Sequence, residues 1–95
     1  KIEILDSAEE DLIDGFKFYE NKSPGLGDYF LDSIFSDIES LRIYAGIHAL
    51  YFGYHRLLSK RFPFAIYYRL HNKKIRVYAV LDCRRSPAWT RNRLS

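Results

Sequence analysis

Residues Tyr54 to Trp89, YHRLLSKRFPFAIYYRLHNKKIRVYAVLDCRRSPAW, decide the fold. The stretch reads as a short strand, two long strands joined by a tight hairpin, and a basic exit marked by proline. With Asn72 and Lys73 as central turn residues, Leu70 faces Ile75, Tyr68 faces Val77, Ile66 faces Ala79 and Phe64 faces Leu81. Strand side chains alternate between faces with a period of two, so these four apolar pairs predict one buried face. The other face pairs Arg69 with Arg76, Tyr67 with Tyr78 and Ala65 with Val80. Like charges set opposite each other repel unless they meet water or an acidic group. That face is expected either to be open to solvent or to bind a partner.

The chain around this stretch has 95 residues, which fits one domain over residues 1–95 with a core that needs no staples. At 47% hydrophobic and 28% charged it has the composition of an ordinary soluble globular protein. No apolar run approaches the ~18 residues of a membrane span, and no charged–apolar–small leader is present. The single Cys83 allows no internal disulfide and no CxxC metal motif, so a reducing cytoplasm is the expected location. The thiol itself is expected to be inert and packed at a strand end.

The net charge of +3 conceals a strong polarity. Residues 1–45 hold eleven of the twelve acids and four bases, a balance of −7. Residues 46–95 hold eleven bases and one acid, Asp82, a balance of +10. Either the two halves neutralise each other across the fold, or a basic surface awaits an acidic partner.

Upstream, Lys1 to Leu5 alternates as a first strand with Ile2 and Ile4 inward. Ser7-Ala8-Glu9-Glu10 has the form of a capping box, and Ala8, Leu12, Phe16 and Tyr19 then recur along one helix face. Ser23-Pro24 signals a second helix start, with Asp28 the later alternative, and Phe30, Ile34, Ile38 and Leu41 form its stripe. The short link between the two predicts an antiparallel helix hairpin lying on the sheet. Ala45 to Gly53 reads as a loop apolar enough to pack down. Ser86-Pro87 repeats the cap-plus-proline signal and predicts a last helix from Pro87 to about Arg93.

Familiar catalytic and metal motifs are missing. His48, His55 and His71 have no metal-ligand spacing, no nucleophile sits in a G-x-S-x-G turn, and Gly25 and Gly27 lack the lysine of a phosphate loop. No metal and no cofactor are expected. What remains is a basic cluster interleaved with aromatic residues: Arg56, Lys60, Arg61, Arg69, Arg76, Arg84, Arg85, Arg91 and Arg93, with Tyr67, Tyr78 and Trp89. Guanidinium groups pair with carboxylate or phosphate, and aromatic faces stack bases. An acidic protein, RNA and DNA all satisfy that chemistry.

The residues Tyr54-His55-Arg56-Leu57-Leu58, Arg61-Phe62-Pro63-Phe64-Ala65-Ile66-Tyr67-Tyr68-Arg69, Val77-Tyr78-Ala79-Val80-Leu81, Arg84-Arg85-Ser86-Pro87 and Trp89 resemble the RelE/ParE family of bacterial toxins from type II toxin–antitoxin modules. The likeness is nearer the ParE-like, plasmid-stabilisation branch. It implies an α+β fold in the order β-α-α-β-β-β(-α), an antiparallel sheet against a two-helix hairpin. In the ParE branch the toxin inhibits growth by binding DNA gyrase, and a cognate antitoxin neutralises it in a hetero-oligomer. That role needs a partner-binding surface, for which Arg56, Arg69, Arg76, Arg84, Arg85, Trp89 and Arg91 are the candidates. The alternative, RelE-like branch cuts messenger RNA on the ribosome, usually with a tyrosine or histidine near the C-terminus. Here no Tyr or His follows Tyr78, which leaves His55, Lys60, Arg61 and Arg84 as its candidate catalytic groups. Arginine stays protonated and is a poor proton shuttle. A non-toxic binding module of the same fold is the third possibility.

Overall fold

The computed structural model describes residues 1–95. Its central hairpin joins β4 (Phe64–His71) to β5 (Lys74–Asp82). Asn72 and Lys73 both take left-handed backbone conformations, at φ 48° and 67°, as a two-residue hairpin turn demands. From the turn inward the pairs Leu70–Ile75, Arg69–Arg76 and Tyr68–Val77 are as expected. There the register shifts. Tyr67 faces Ala79, Ile66 faces Val80, Ala65 faces Leu81 and Phe64 faces Asp82, leaving Tyr78 as the extra residue of a β-bulge.

One inserted residue exchanges the faces of everything beyond it. Val80, not Ala79 or Leu81, therefore joins Phe64, Ile66, Tyr68, Ile75 and Val77 in the main core. Ala79 and Leu81 turn to the other face with Ala65 and Tyr67. Leu70, expected to be buried, is exposed at the end of its strand.

The start of the chain fastens the bulge. Strand β1 (Ile2–Ile4) runs parallel to β5, Ile2 beside Ile75 and Ile4 beside Val77, so the sheet is mixed, not wholly antiparallel. Helix α1 (Asp6–Lys22) then crosses the edge that β1 leaves open. The Ser7 hydroxyl donates to the Tyr78 carbonyl at 2.8 Å, and the Val80 amide donates to Asp11 Oδ2 at 3.0 Å. The capping box predicted at Ser7 is absent, because its hydroxyl serves the bulge and the helix begins after Leu5 with no side-chain cap.

Helix α2 (Leu26–Glu39) starts after Gly25, at φ 89°, later than Ser23-Pro24 suggests. Its first amides are met from α1: Glu20 accepts from Gly25 at 3.0 Å and from Gly27 at 2.9 Å. The two helices approach through glycine. A Cβ on Gly15 would lie 2.5 Å from the Phe30 ring. Alanine there gains up to about 1 kcal/mol of helix propensity, against about 1–3 kcal/mol for overpacking a buried ring. Gly15→Ala is therefore expected to lower the urea midpoint of unfolding; an unchanged or higher midpoint would show that Phe30 yields freely. The core centres on aromatic rings, with Phe30 5.2 Å from Tyr19 and 4.9 Å from Phe64, and Phe62 4.8 Å from Tyr19.

A short α3 (Leu41–Tyr44) follows Ser40 and carries Leu41 of the predicted stripe, and a two-residue edge strand β2 (Leu50–Tyr51) forms within the stretch Ala45 to Gly53 expected to be loop. Strand β3 (Tyr54–Leu58) completes the sheet, in the order β1-β5-β4-β3-β2. Helix α4 (Pro87–Leu94) begins as predicted, with the Ser86 hydroxyl accepting from the Trp89 amide at 3.2 Å. Its Leu94 closes a second, smaller core over Tyr54, Ala65, Tyr67, Ala79 and Leu81. The face predicted to be open or binding is thus half covered by the chain's own C-terminal helix. Arg93 secures that helix through a two-pronged ion pair with Asp11, at 2.9 and 3.0 Å. No helix is long and apolar enough to cross a membrane.

Candidate partner-binding face

The half that α4 leaves uncovered carries the arginines. Arg69 and Arg76 sit opposite each other, and each is turned to a different neighbour. The Arg69 guanidinium lies 4.0 Å over the Tyr54 ring and 5.4 Å from that of Tyr78, while its Nε donates to the Gly53 carbonyl at 3.2 Å. Arg76 Nε is 3.3 Å from Glu3 Oε1 on β1. That contact is electrostatic only, because Arg76 Nε is buried without a hydrogen-bond acceptor in line. The like-charge pair is thus relieved inside the chain, by a π face and a carboxylate.

Arg56 lies 4.9 Å over the Tyr51 ring, with Nη2 3.8 Å from the Cys83 sulfur. Its Nε is buried and unpartnered. Cys83 is exposed, contrary to the packed thiol expected at the strand end. It stands just past β5, where the side chain is no longer held between layers. Burial pushes the Tyr67 phenol above its ordinary range, with Arg56 pulling the other way. Tyr67 is therefore protonated at neutral pH and no base.

The basic exit divides. Arg84 folds back on Asp82, with Nε 2.9 Å from Oδ1 and Nη2 2.7 Å from Oδ2. Hydrogen bonding from Arg84 holds the Asp82 carboxyl below its usual range. Asp82 stands opposite Phe64 of the main core, which places Arg84 on the helix side of the sheet. Arg85 instead lies 4.4 Å over Trp89, and Arg91 lies 5.7 Å over Phe52. Of the seven predicted binding residues, Arg56, Arg69 and Arg76 share the open sheet face. Arg85, Trp89 and Arg91 border it through α4, and Arg84 is removed from it.

The alternative catalytic residues do not converge. His55 stacks on Tyr68, 5.1 Å between ring centres at 23°, and its Nδ1 bonds the His48 carbonyl at 2.8 Å. Tyr68 belongs to the main core, so His55 is on the helix side, with the arginines across the sheet. Lys60 and Arg61 are exposed in the β3–β4 connection. Sequence reasoning missed Glu3, Asp11, Tyr51 and Tyr54. The acids entered there only as part of the charge balance, and only the folded chain shows what they meet.

No protein-family model matches the chain, and no curated protein matches it by sequence. Among solved structures, a chain from the "Chromosomal ParDE TA system from P. aeruginosa" superposes with a TM-score of 0.76. The match covers 84% of this chain and 91% of that one, at 20% identity. The fold is ParE-like. That fold places the arginines of β3, β4 and β5 on the sheet face away from the helix hairpin, and the α+β architecture implied by the resemblance is the one observed.

Proposed function

We propose that this protein is the toxin of a type II toxin–antitoxin module, that it inhibits growth by binding DNA gyrase in the cytoplasm, and that an acidic antitoxin neutralises it. The observation carrying this reading is the chemistry of the open sheet face. It offers guanidinium groups and phenols, and the carboxylate beside it, Glu3, is held by Arg76. Such a face binds anions and aromatic-compatible surfaces well, and its guanidinium groups and phenols stay protonated near neutral pH and are poor at moving a proton. The ParE-like fold supports the same reading, since the solved chain that shares it is described as part of a ParDE TA system.

Two assays on purified protein test it. Inhibition of gyrase supercoiling, with accumulation of cleaved DNA, is the expected result. Cleavage of message in the A site of translating ribosomes, with gyrase unaffected, would overturn it.

The antitoxin surface makes a sharper prediction. Rim charges chiefly speed association and are screened by salt. Arg85 is exposed and has no carboxylate partner, whereas Arg84 is already spent on Asp82. Arg85→Ala should slow antitoxin association roughly two- to fivefold at low salt and flatten its salt dependence. An unchanged association rate and salt slope for Arg85→Ala in stopped-flow measurements would show that this basic edge is not where the antitoxin lands.

A further inference from the structure

Residues 45–53 frame the arginine face, yet little apolar burial holds them. Ile47 and Leu50 are 74% and 67% exposed. The segment nevertheless supplies Tyr51 beneath Arg56, Phe52 beneath Arg91 and the Gly53 carbonyl to Arg69. Leu50 and Tyr51 pair with β3 and Tyr51 packs on the second core, whereas residues 45–49 are fastened by polar contacts concentrated at one point. The Tyr68 hydroxyl, on a fully buried side chain of β4, accepts from the Gly46 amide at 2.9 Å and contacts His48 Nδ1. His55 of β3 stacks on the Tyr68 ring and bonds the His48 carbonyl. The Arg56 amide holds the Ala49 carbonyl at 3.0 Å.

A tyrosine hydroxyl has one proton and two lone pairs. The Gly46 amide occupies a lone pair, and His48 Nδ1 is the only acceptor in reach of the proton. Tyr68 therefore donates to His48, which must be neutral with its own proton on Nε2. Protonating Nδ1 removes that acceptor: the hydroxyl has to turn to accept from the imidazolium, and its own proton is left unpaired beside the buried core. The titratable groups facing His48 are His55 from β3 and Tyr68 from β4, and no carboxylate forms an ion pair with it to compensate an imidazolium.

We propose that His48 is a pH-sensitive fastener: protonation of its ring releases residues 45–49 from β3 and β4, next to the β2–β3 pair that frames the arginine face. The device holds whichever partner that face binds. Burial, and then the proximity of His55, hold His48 below its ordinary value of 6.5. The folded state thus binds fewer protons than the unfolded chain. The fastening is complete above that ordinary value and is lost progressively as pH falls below it.

The test is NMR of the intact chain between pH 5 and 8, reading the His48 ring nitrogens together with the Gly46 amide. At pH 7 the His48 proton is expected on Nε2. As His48 titrates, Gly46 exchange, corrected for its intrinsic pH dependence, should accelerate about tenfold, the loss of one hydrogen bond. Tyr68→Phe keeps the ring but removes the hydroxyl; it should expose Gly46 already at pH 7 and abolish the pH step. His48→Gln, at a half-exposed position, supplies the same comparison should the Tyr68 variant not fold. Gly46 protection that stays constant while His48 titrates, or a pH step that persists in His48→Gln, would overturn the proposal.

Discussion

Replacing Ile66 with Asp is expected to leave a chain that no longer unfolds cooperatively. Ile66 is fully buried at the middle of β4, opposite Leu57 on one side and Val80 on the other, inside the main core. An unpaired carboxylate there loses its hydration, and protonating it to avoid that cost still buries unsatisfied hydroxyl and carbonyl groups. Either way the penalty is several kcal/mol, against a total stability of about 5–15 kcal/mol for a small domain. Ile66→Val, which removes one methyl, should cost only about 0.5–1.5 kcal/mol. Thermal melts by circular dichroism separate the two. A cooperatively melting Ile66→Asp variant would mean that this strand does not lie between sheet and helices.

Asp11→Ala is expected to be the most damaging change of any acidic side chain. Asp11 joins three elements: it sits on α1, accepts the Val80 amide beside the bulge in β5, and holds Arg93 of α4. Its side chain is 10% exposed and that of Arg93 is 32% exposed. The ion pair is therefore partly screened, and the larger share of the loss comes from leaving a buried amide and a half-buried guanidinium unsatisfied. About 2–4 kcal/mol is expected for Asp11→Ala, and about 1 kcal/mol for Arg93→Ala, which leaves the Asp11–Val80 bond intact. The double variant should cost less than the sum of the two, since one interaction is removed only once. Urea unfolding of the three variants measures this directly. Equal losses from Asp11→Ala and Arg93→Ala would show that the bulge amide does not depend on Asp11.

The two predictions sit on opposite sides of what the sequence makes legible. Ile66 and Tyr68 belong to a period-two pattern within one strand, and Phe30, Ile34, Ile38 and Leu41 to a helical stripe; local spacing is enough to assign both to the core. The Asn72-Lys73 turn and the Ser86-Pro87 helix start were equally local, and both stand where the sequence puts them. Asp11 had no such signal. It was one acid in an acidic helix until the fold brought it to residues 69 and 82 positions away.

The same distinction separates the candidate site into its parts. Composition and alternation by themselves determined an α+β chain with a helix hairpin on a long β-hairpin, and a basic second half bearing arginine and tyrosine. Alternation also put Arg69, Arg76 and Tyr67 on one face; only the tertiary structure decided the faces of Ala79, Val80 and Leu81, because the bulge at Tyr78 that exchanges them is fastened by Ser7, 71 positions upstream. It also decided that α4 covers half of that face, that Arg84 is taken up by Asp82 while Arg85 stacks on Trp89, and that Glu3 answers Arg76. The physical reason is one of range. Periodicity and caps act over a few residues, whereas register, charge pairing and the covering of a sheet are settled by groups that meet only once the chain is folded.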